Sequence, residues 1–176
     1  VRLGGWTSSS GRGWAKLSHA PFRMYKRYTH EGGMATPLIV HWPAGFKAKG
    51  ELRHAPSHII DVASTCLSAA GLSVKGMAGK SLVPVFAKDS NKERTLYWEH
   101  EGNRAVRKGD YKLVAMHDTP WELYDMKKDR SELKDLSKGM PGKAKELRLL
   151  YEAWAKRVGA LPWNEVLEAR KKKIAK

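Results

Sequence analysis

The chain is short of cysteine, of acidic residues and of long apolar runs, and each shortage removes a class of protein. Cys66 is the single cysteine, so no internal disulfide can form and cysteine usage carries no signal about redox compartment. No stretch approaches the roughly 18 consecutive apolar residues of a membrane span. No charged-then-apolar leader follows Val1, so neither a membrane partner nor a secretory signal is read here. Acidic residues number 18 against 33 Lys and Arg, a formal charge of +15. Such an excess raises a nucleic-acid reading, which requires the bases to cluster. The tail from residue 165 to residue 176 holds five bases and two acids, and most of the excess is spread elsewhere, as on a solvated surface. No nucleic-acid partner is therefore expected, although a diffuse cationic surface also attracts sulfated polysaccharides.

What is present describes a globular chain: 176 residues, 41% of them apolar, with seven tryptophans, enough for one domain with a real core. Residues 1–18 are Gly- and Ser-rich around Trp6 and Trp14, which predicts an ordered loop lying on a further surface. Pro37 to Trp42 reads as a short apolar strand buried on both faces of a parallel sheet. Apolar residues recur at helical spacing from His58 to Ala70, with Ser57 as N-cap and Gly71 as the stop. Cys66 falls on that apolar face and is expected to be a buried structural thiol. Gly76 to Ser81 imitates a phosphate loop but has Val74 where the first glycine belongs, so nucleotide binding is excluded. A short helical turn is expected over residues 81–87.

From Arg94 the pattern changes to strands over 96–99, 103–107, 111–116 and 122–125, with K-G-D at 108–110 as a hairpin signal. Short links make this an antiparallel meander. Ala144, Leu147, Leu150, Tyr151, Trp154 and Val158 mark one face of a helix stopped by Gly159 and Pro162, and the sheet gives that face something to cover. From Asn164 a frayed basic helix is expected.

The most unusual stretch is Pro21 to Pro43, P-F-R-M-Y-K-R-Y-T-H-E-G-G-M-A-T-P-L-I-V-H-W-P. Lys26 sits on a loop ahead of paired glycines, Gly32 and Gly33, which permit a close backbone approach. His30 and Glu31 open the zinc motif H-E-x-x-H, but Met34 stands where the motif needs its second histidine, and zinc is excluded. The reading for His30 and Glu31 is structural, with the Glu31 carboxylate accepting hydrogen bonds from loop N–H groups. In H-E-G-N-R-A, the side chains of His100, Asn103 and Arg104 form a polar cluster at a strand turn that can reach the mouth of a site.

This stretch resembles the lysine loop of the type I sulfatases, the arylsulfatases in particular. The likeness continues through S-H-I-I-D-V-A-S-T (57–65), G-K-S-L-V-P-V-F (79–86), L-Y-W-E-H-E-G-N-R-A-V-R-K-G-D-Y-K-L-V (96–114) and W-E-L-Y-D-M-K-K-D-R-S-E-L-K-D-L (121–136). It covers roughly residues 13 to 163 and only the C-terminal portion of the family. The resemblance implies an α/β, alkaline-phosphatase-like sulfatase fold. Residues 1–90 would be the end of the large catalytic domain, 91–163 a small subdomain of four antiparallel strands packed on a long C-terminal helix, and 164–176 a basic tail. It implies that Lys26 contacts the sulfate group; the cluster of His100, Asn103 and Arg104, read from the residues as a polar turn, is expected to contribute to substrate selection. It also implies calcium and a formylglycine nucleophile for a full-length parent, neither held by this chain, because the family's C-x-P-S-R motif and Asp-Asn metal pair precede the lysine loop. Cys66, in T-C-L-S-A, is not the formylglycine precursor. The chain alone is then expected to be inactive, its partners being the preceding part of the same polypeptide and a small-molecule or glycan sulfate ester, in a periplasmic or secreted setting. Two other readings stay open at this point: a related phosphoric-ester or sulfonate hydrolase, and a stand-alone basic module binding nucleic acid or sulfated glycans.

Overall fold

The computed structural model describes residues 11–47, 50–89 and 93–174. Trp6 and the last two residues of the basic tail lie outside them. The chain divides into two compact units, one of Val1–Thr36 with Tyr97–Lys176, the other of Pro37–Leu96. The sequence division at residue 90 placed the lysine loop with the segment that follows it; the structure groups that loop with the sheet.

The first unit begins with α1 (Arg12–His19) and a single helical turn, α2 (Glu31–Met34). The expected loop over residues 11–18 is thus mostly helix, closed by Ser18 Oγ donating to the Trp14 carbonyl. The sheet comprises β1 (Thr95–His100), β2 (Asn103–Lys108), β3 (Tyr111–Ala115) and β4 (Glu122–Asp125), in spatial order β1-β2-β3-β4. Pairing is antiparallel, with Lys108 opposite Tyr111 across the K-G-D turn and Leu113 opposite Leu123. Glu101 and Gly102 link β1 to β2 with φ of 51° and 80°, the left-handed pair that suits the twist of a two-residue hairpin.

Alternation along these strands gives the sheet two different faces. Val106, Leu113 and Leu123 point to one side and form a core with Leu147 and Tyr151 of α5 (Pro141–Val158). Burying a side chain such as Leu147 contributes about 1.5–3 kcal/mol. The helix starts on Pro141 at its first turn and stops at Gly159, φ 68°, where the Ala160 N–H donates to the Ala155 carbonyl in a Gly-terminated cap. Val158, expected on the apolar face, is exposed as the last residue of the helix. Residues 163–174 form a helix, α6 (Trp163–Ile174). The opposite sheet face carries Ala105, Val114 and Tyr124, together with Asn103, Lys112 and Glu122, which lie at even spacing from them.

The second unit contains α3 (Ile60–Ala69) and α4 (Val83–Ala87). The buried side of α3 is polar where an apolar face was expected. Asp61 and Ser64 are the fully buried residues of α3. The Asp61 carboxylate accepts from the His58 and Lys80 N–H groups and from both Arg94 Nη atoms at 2.7 and 3.0 Å. Burial would push its carboxyl up, but these donors hold it below the ordinary aspartate value. Ser57 does not cap the helix: the N-cap position is Ile59 and no side chain caps it, Asp61 lies in the first turn, and Ser57 Oγ donates to the Ala55 carbonyl. Ser64 Oγ donates to the Gly79 carbonyl at 3.0 Å, and a Cβ on Gly79 would lie 2.0 Å from the Ile60 carbonyl oxygen. The G-K-S segment is thus a close-packed strap over α3.

Pro37–Trp42 forms no strand among the described residues, and Ile39 is 91% exposed. The buried-strand expectation fails here for a physical reason: a strand is completed by a ladder, and this segment meets none. Cys66 is likewise exposed, not buried. It lines an open apolar groove with Leu38, Val40, Trp42, Val62 and Phe86.

Candidate functional site

The candidate site is the lysine loop, which lies against the sheet face away from α5. The loop is closed at its base by the Gly32 N–H donating to the Arg23 carbonyl at 2.8 Å. That approach leaves no room for side chains. A Cβ on Gly32 would sit 2.2 Å from the Met24 carbonyl oxygen, and one on Gly33 would sit 1.9 Å from that of Tyr28. Met24 and Arg27 adopt φ of 61° and 95°, conformations that cost non-glycine residues free energy and persist only where surroundings enforce them. Lys26 lies between them, exposed on a turn.

The enforcement comes from the sheet. Lys112, wholly buried in β3, donates to Glu132 at 2.7 Å and to Glu31 at 3.2 Å. Glu132, also wholly buried, accepts the Glu31 N–H at 2.9 Å, and Arg130 Nε donates to Glu31 at 3.1 Å. Burial would raise the Glu31 carboxyl, but Lys112 and Arg130 outweigh it and hold it below the ordinary glutamate value. Arg23 donates from one Nη to the Tyr124 hydroxyl at 2.6 Å, the Glu132 carbonyl at 2.9 Å and Glu122 at 3.2 Å. His30 is 1% exposed and its Nε2 meets the Glu122 carboxylate at 3.2 Å, while Nδ1 has no partner among the described residues. Desolvation lowers the His30 pKa against the opposing pull of the glutamates. Nearer the apex, Asn103 Nδ2 donates to the Arg27 carbonyl at 3.3 Å, and Arg27 pairs with Glu101.

The structure therefore brings His30, Glu31, Gly32, Gly33 and Asn103 together around the loop that presents Lys26. It differs from expectation on Glu31, whose carboxylate meets Lys112 and Arg130; the loop N–H of Glu31 is taken by Glu132 instead. It also divides the H-E-G-N-R-A cluster. Asn103 is 4% exposed, with its amide committed to Arg27, His100 and His117. Arg104, one residue on, points to the α5 side, where its guanidinium lies 4.7 Å from the Trp121 ring. Neighbouring strand residues face opposite ways, so the two side chains lie on opposite faces of the sheet. His100 is exposed at the end of β1.

Sequence reasoning missed Arg23, Lys112, Glu122, Tyr124, Arg130 and Glu132. The available signal was Lys112, a cation at the inward position of an apolar strand, which is tolerated only when paired. Among the described residues no three His, Cys, Asp or Glu side chains form a group able to hold a metal ion.

Residues 21–152 match the family model described as N-sulphoglucosamine sulphohydrolase, C-terminal. This chain belongs to that sulfatase family. An uncharacterized sulfatase of Schizosaccharomyces pombe is 32% identical over 163 residues, covering 81% of this chain and 29% of that protein. The N-acetylgalactosamine-6-sulfatase of Mus musculus is 38% identical over 100 residues, covering 54% and 19% respectively. The crystal structure of Ps i-CgsB in complex with k-i-k-neocarrahexaose superposes with a TM-score of 0.70 at 27% identity, over 80% of this chain and 34% of that one. The sulfatase chain thus spans less than a third of the length of these two curated relatives. Its fold is the C-terminal part of the α/β sulfatase fold, a four-stranded antiparallel sheet with a long C-terminal helix. Neither the phosphoric-ester reading nor the free-standing binding module is favoured by relatives that are sulfatases.

Proposed function

We propose that this chain is the C-terminal part of a longer sulfuric ester hydrolase, in which Lys26 binds the sulfate group of a sulfated saccharide. One observation carries the reading: Lys26 stands exposed on a strained loop whose anchors are buried and paired, while the neighbouring exposed cation, Arg27, is committed to Glu101. A fixed positive charge held this way stabilises sulfonyl oxygens without reorganising during reaction. Glu31, Lys112, Glu132, Arg23 and His30 act on substrate through the loop, as does Asn103 at its apex; His100 is the member of the turn cluster left free to meet substrate.

The family resemblance calls for calcium and formylglycine, and the described residues fit neither. They hold no carboxylate cluster for a metal, and Cys66 stands in T-C-L-S-A. Both groups belong, in this proposal, to preceding residues of the same polypeptide, which would also cover the apolar groove around Cys66. No described helix is long and apolar enough to cross a membrane, and export to the periplasm or cell exterior is part of the proposal. The test is the coding sequence upstream of Val1 and the activity of its product. An in-frame extension carrying C-x-P-S-R and an Asp-Asn pair, whose product releases sulfate from a sulfated sugar, is expected. An adjacent start codon, or an extended product without sulfate release, would contradict it.

A further inference from the structure

The α5 face of the sheet ends in a pocket that the lysine loop does not use. Its volume is about 210 Å³, and it is lined by Glu99, Gly102, Arg104, Tyr151, Leu161 and Trp163 among others. This is below the ~300–1,000 Å³ of sites for drug-sized ligands, a size for one sugar ring and its substituents. Three polar groups converge there with capacity to spare. Arg104 has no carboxylate partner among the described residues, and its one hydrogen bond, to the Thr119 carbonyl, is long at 3.5 Å. Glu99 uses one carboxylate oxygen on the Gly102 N–H at 2.9 Å. Burial first, and then the Glu99 charge, push the Tyr151 phenol up to about 12, so it remains a hydroxyl donor. The walls are apolar. Trp163 lies against the β1–β2 turn, where a Cβ on Gly102 would come within 3.0 Å of its Cβ, and its ring carries the Arg170 guanidinium at 4.9 Å.

We propose that this pocket is a second, non-catalytic saccharide site, binding one sulfated sugar unit of a polymeric substrate on the sheet face away from Lys26. The Trp163 and Leu161 walls take the apolar face of the ring. Arg104, its guanidinium already placed by Trp121, presents a planar fork to the sulfate oxygens, a geometry that a lysine cannot reproduce. Glu99 and Tyr151 meet the sugar hydroxyls. A polymer held here raises the local concentration of its other sulfated units near the lysine loop. The choice of ligand rests on the sulfatase reading above; the pocket itself does not.

The test is calorimetric titration of the full-length polypeptide with a chondroitin 6-sulfate hexasaccharide and with its desulfated counterpart. The sulfated hexasaccharide should bind, the desulfated one at least tenfold more weakly. Arg104→Ala and Leu161→Glu should each weaken binding of the sulfated form at least tenfold. Leu161 is 63% exposed, so its variant keeps the fold and adds a repelling charge, which keeps the test decisive if Arg104→Ala unfolds. No binding by the wild type, equal binding of both hexasaccharides, or unchanged affinity in Leu161→Glu overturns the proposal. Sulfate release, measured in parallel, separates the two readings. Pocket binding without release removes the sulfatase function alone, and release with unaltered affinity in the variants removes the pocket alone.

Discussion

Lys112 shows how much a single residue can determine. Buried between Glu31 and Glu132, it neutralises two carboxylates that would otherwise face each other in a low-dielectric interior. Removing one member of such a group leaves an uncompensated charge, which typically costs about 3–5 kcal/mol. Lys112→Met should therefore lower stability by about that amount in denaturant titrations, although methionine fills similar space. A loss below about 1 kcal/mol, the scale of an exposed pair, would show the network to be dispensable. The titrating neighbours set a pH dependence of definite sign. His30 has a folded pKa below 6.5, so the unfolded chain binds more protons as pH falls through that value and stability declines. Glu31 and Glu122 have folded pKa values below 4.5, and their contribution is lost as pH falls further. Acid should thus loosen the fold in two stages, the first shared by His30 and by His58, whose pKa burial also lowers, and His30→Gln should reduce it; a midpoint that stays flat below pH 6.5 in wild type would contradict the assignment. Of this network the sequence made only the loop side visible. His30, Glu31 and the two glycines stand in one short string, whereas Glu132 and Lys112 are about 20 residues apart and about 80 to 100 residues from the loop. Single-residue patterning cannot pair charges over such separations.

Among elements, those with a local signature were readable. The meander was legible from its alternation and turn residues, and α5 from its 3.6-residue period, because each buries its apolar side against a neighbour present in the same chain. Leu147→Ala on α5 should cost about 2–5 kcal/mol, and thermal unfolding of the sheet unit checks it. Pro37–Trp42 and the apolar side of α3 were misread for the complementary reason. Their apolar residues prescribe burial, but no element among the described residues supplies it, so Ile39 and Cys66 remain exposed. Likewise the polar face of α3 was passed over, because Asp61 and Ser64 are buried by the strap at residues 79–82, a tertiary event. Gly33→Ala tests the lysine loop as an element: with the Tyr28 carbonyl 1.9 Å from the new Cβ, the backbone must move. Overpacking of this kind costs about 1–3 kcal/mol and should displace Lys26, visible as an altered Tyr25 and Tyr28 environment in near-ultraviolet circular dichroism.

The whole molecule is described by a division of labour across one sheet. One face carries α5 and the second saccharide pocket; the other carries the lysine loop, cemented by buried charge. The family assignment covers residues 21–152, and the exposed groove around Cys66 marks where further polypeptide is proposed to lie. A thiol reagent should modify Cys66 rapidly in this chain and slowly in the longer protein. Equal rates would place the missing residues elsewhere. The central claim, that Lys26 is the sulfate-binding cation of a sulfatase, is tested most directly by sulfate release from chondroitin 6-sulfate oligosaccharides by the full-length polypeptide with and without Lys26→Ala. Loss of one preorganised group of this kind lowers kcat by about 10²–10³, and that is the predicted result with the loop network intact. A Lys26→Ala protein that keeps wild-type kcat/KM would contradict the account.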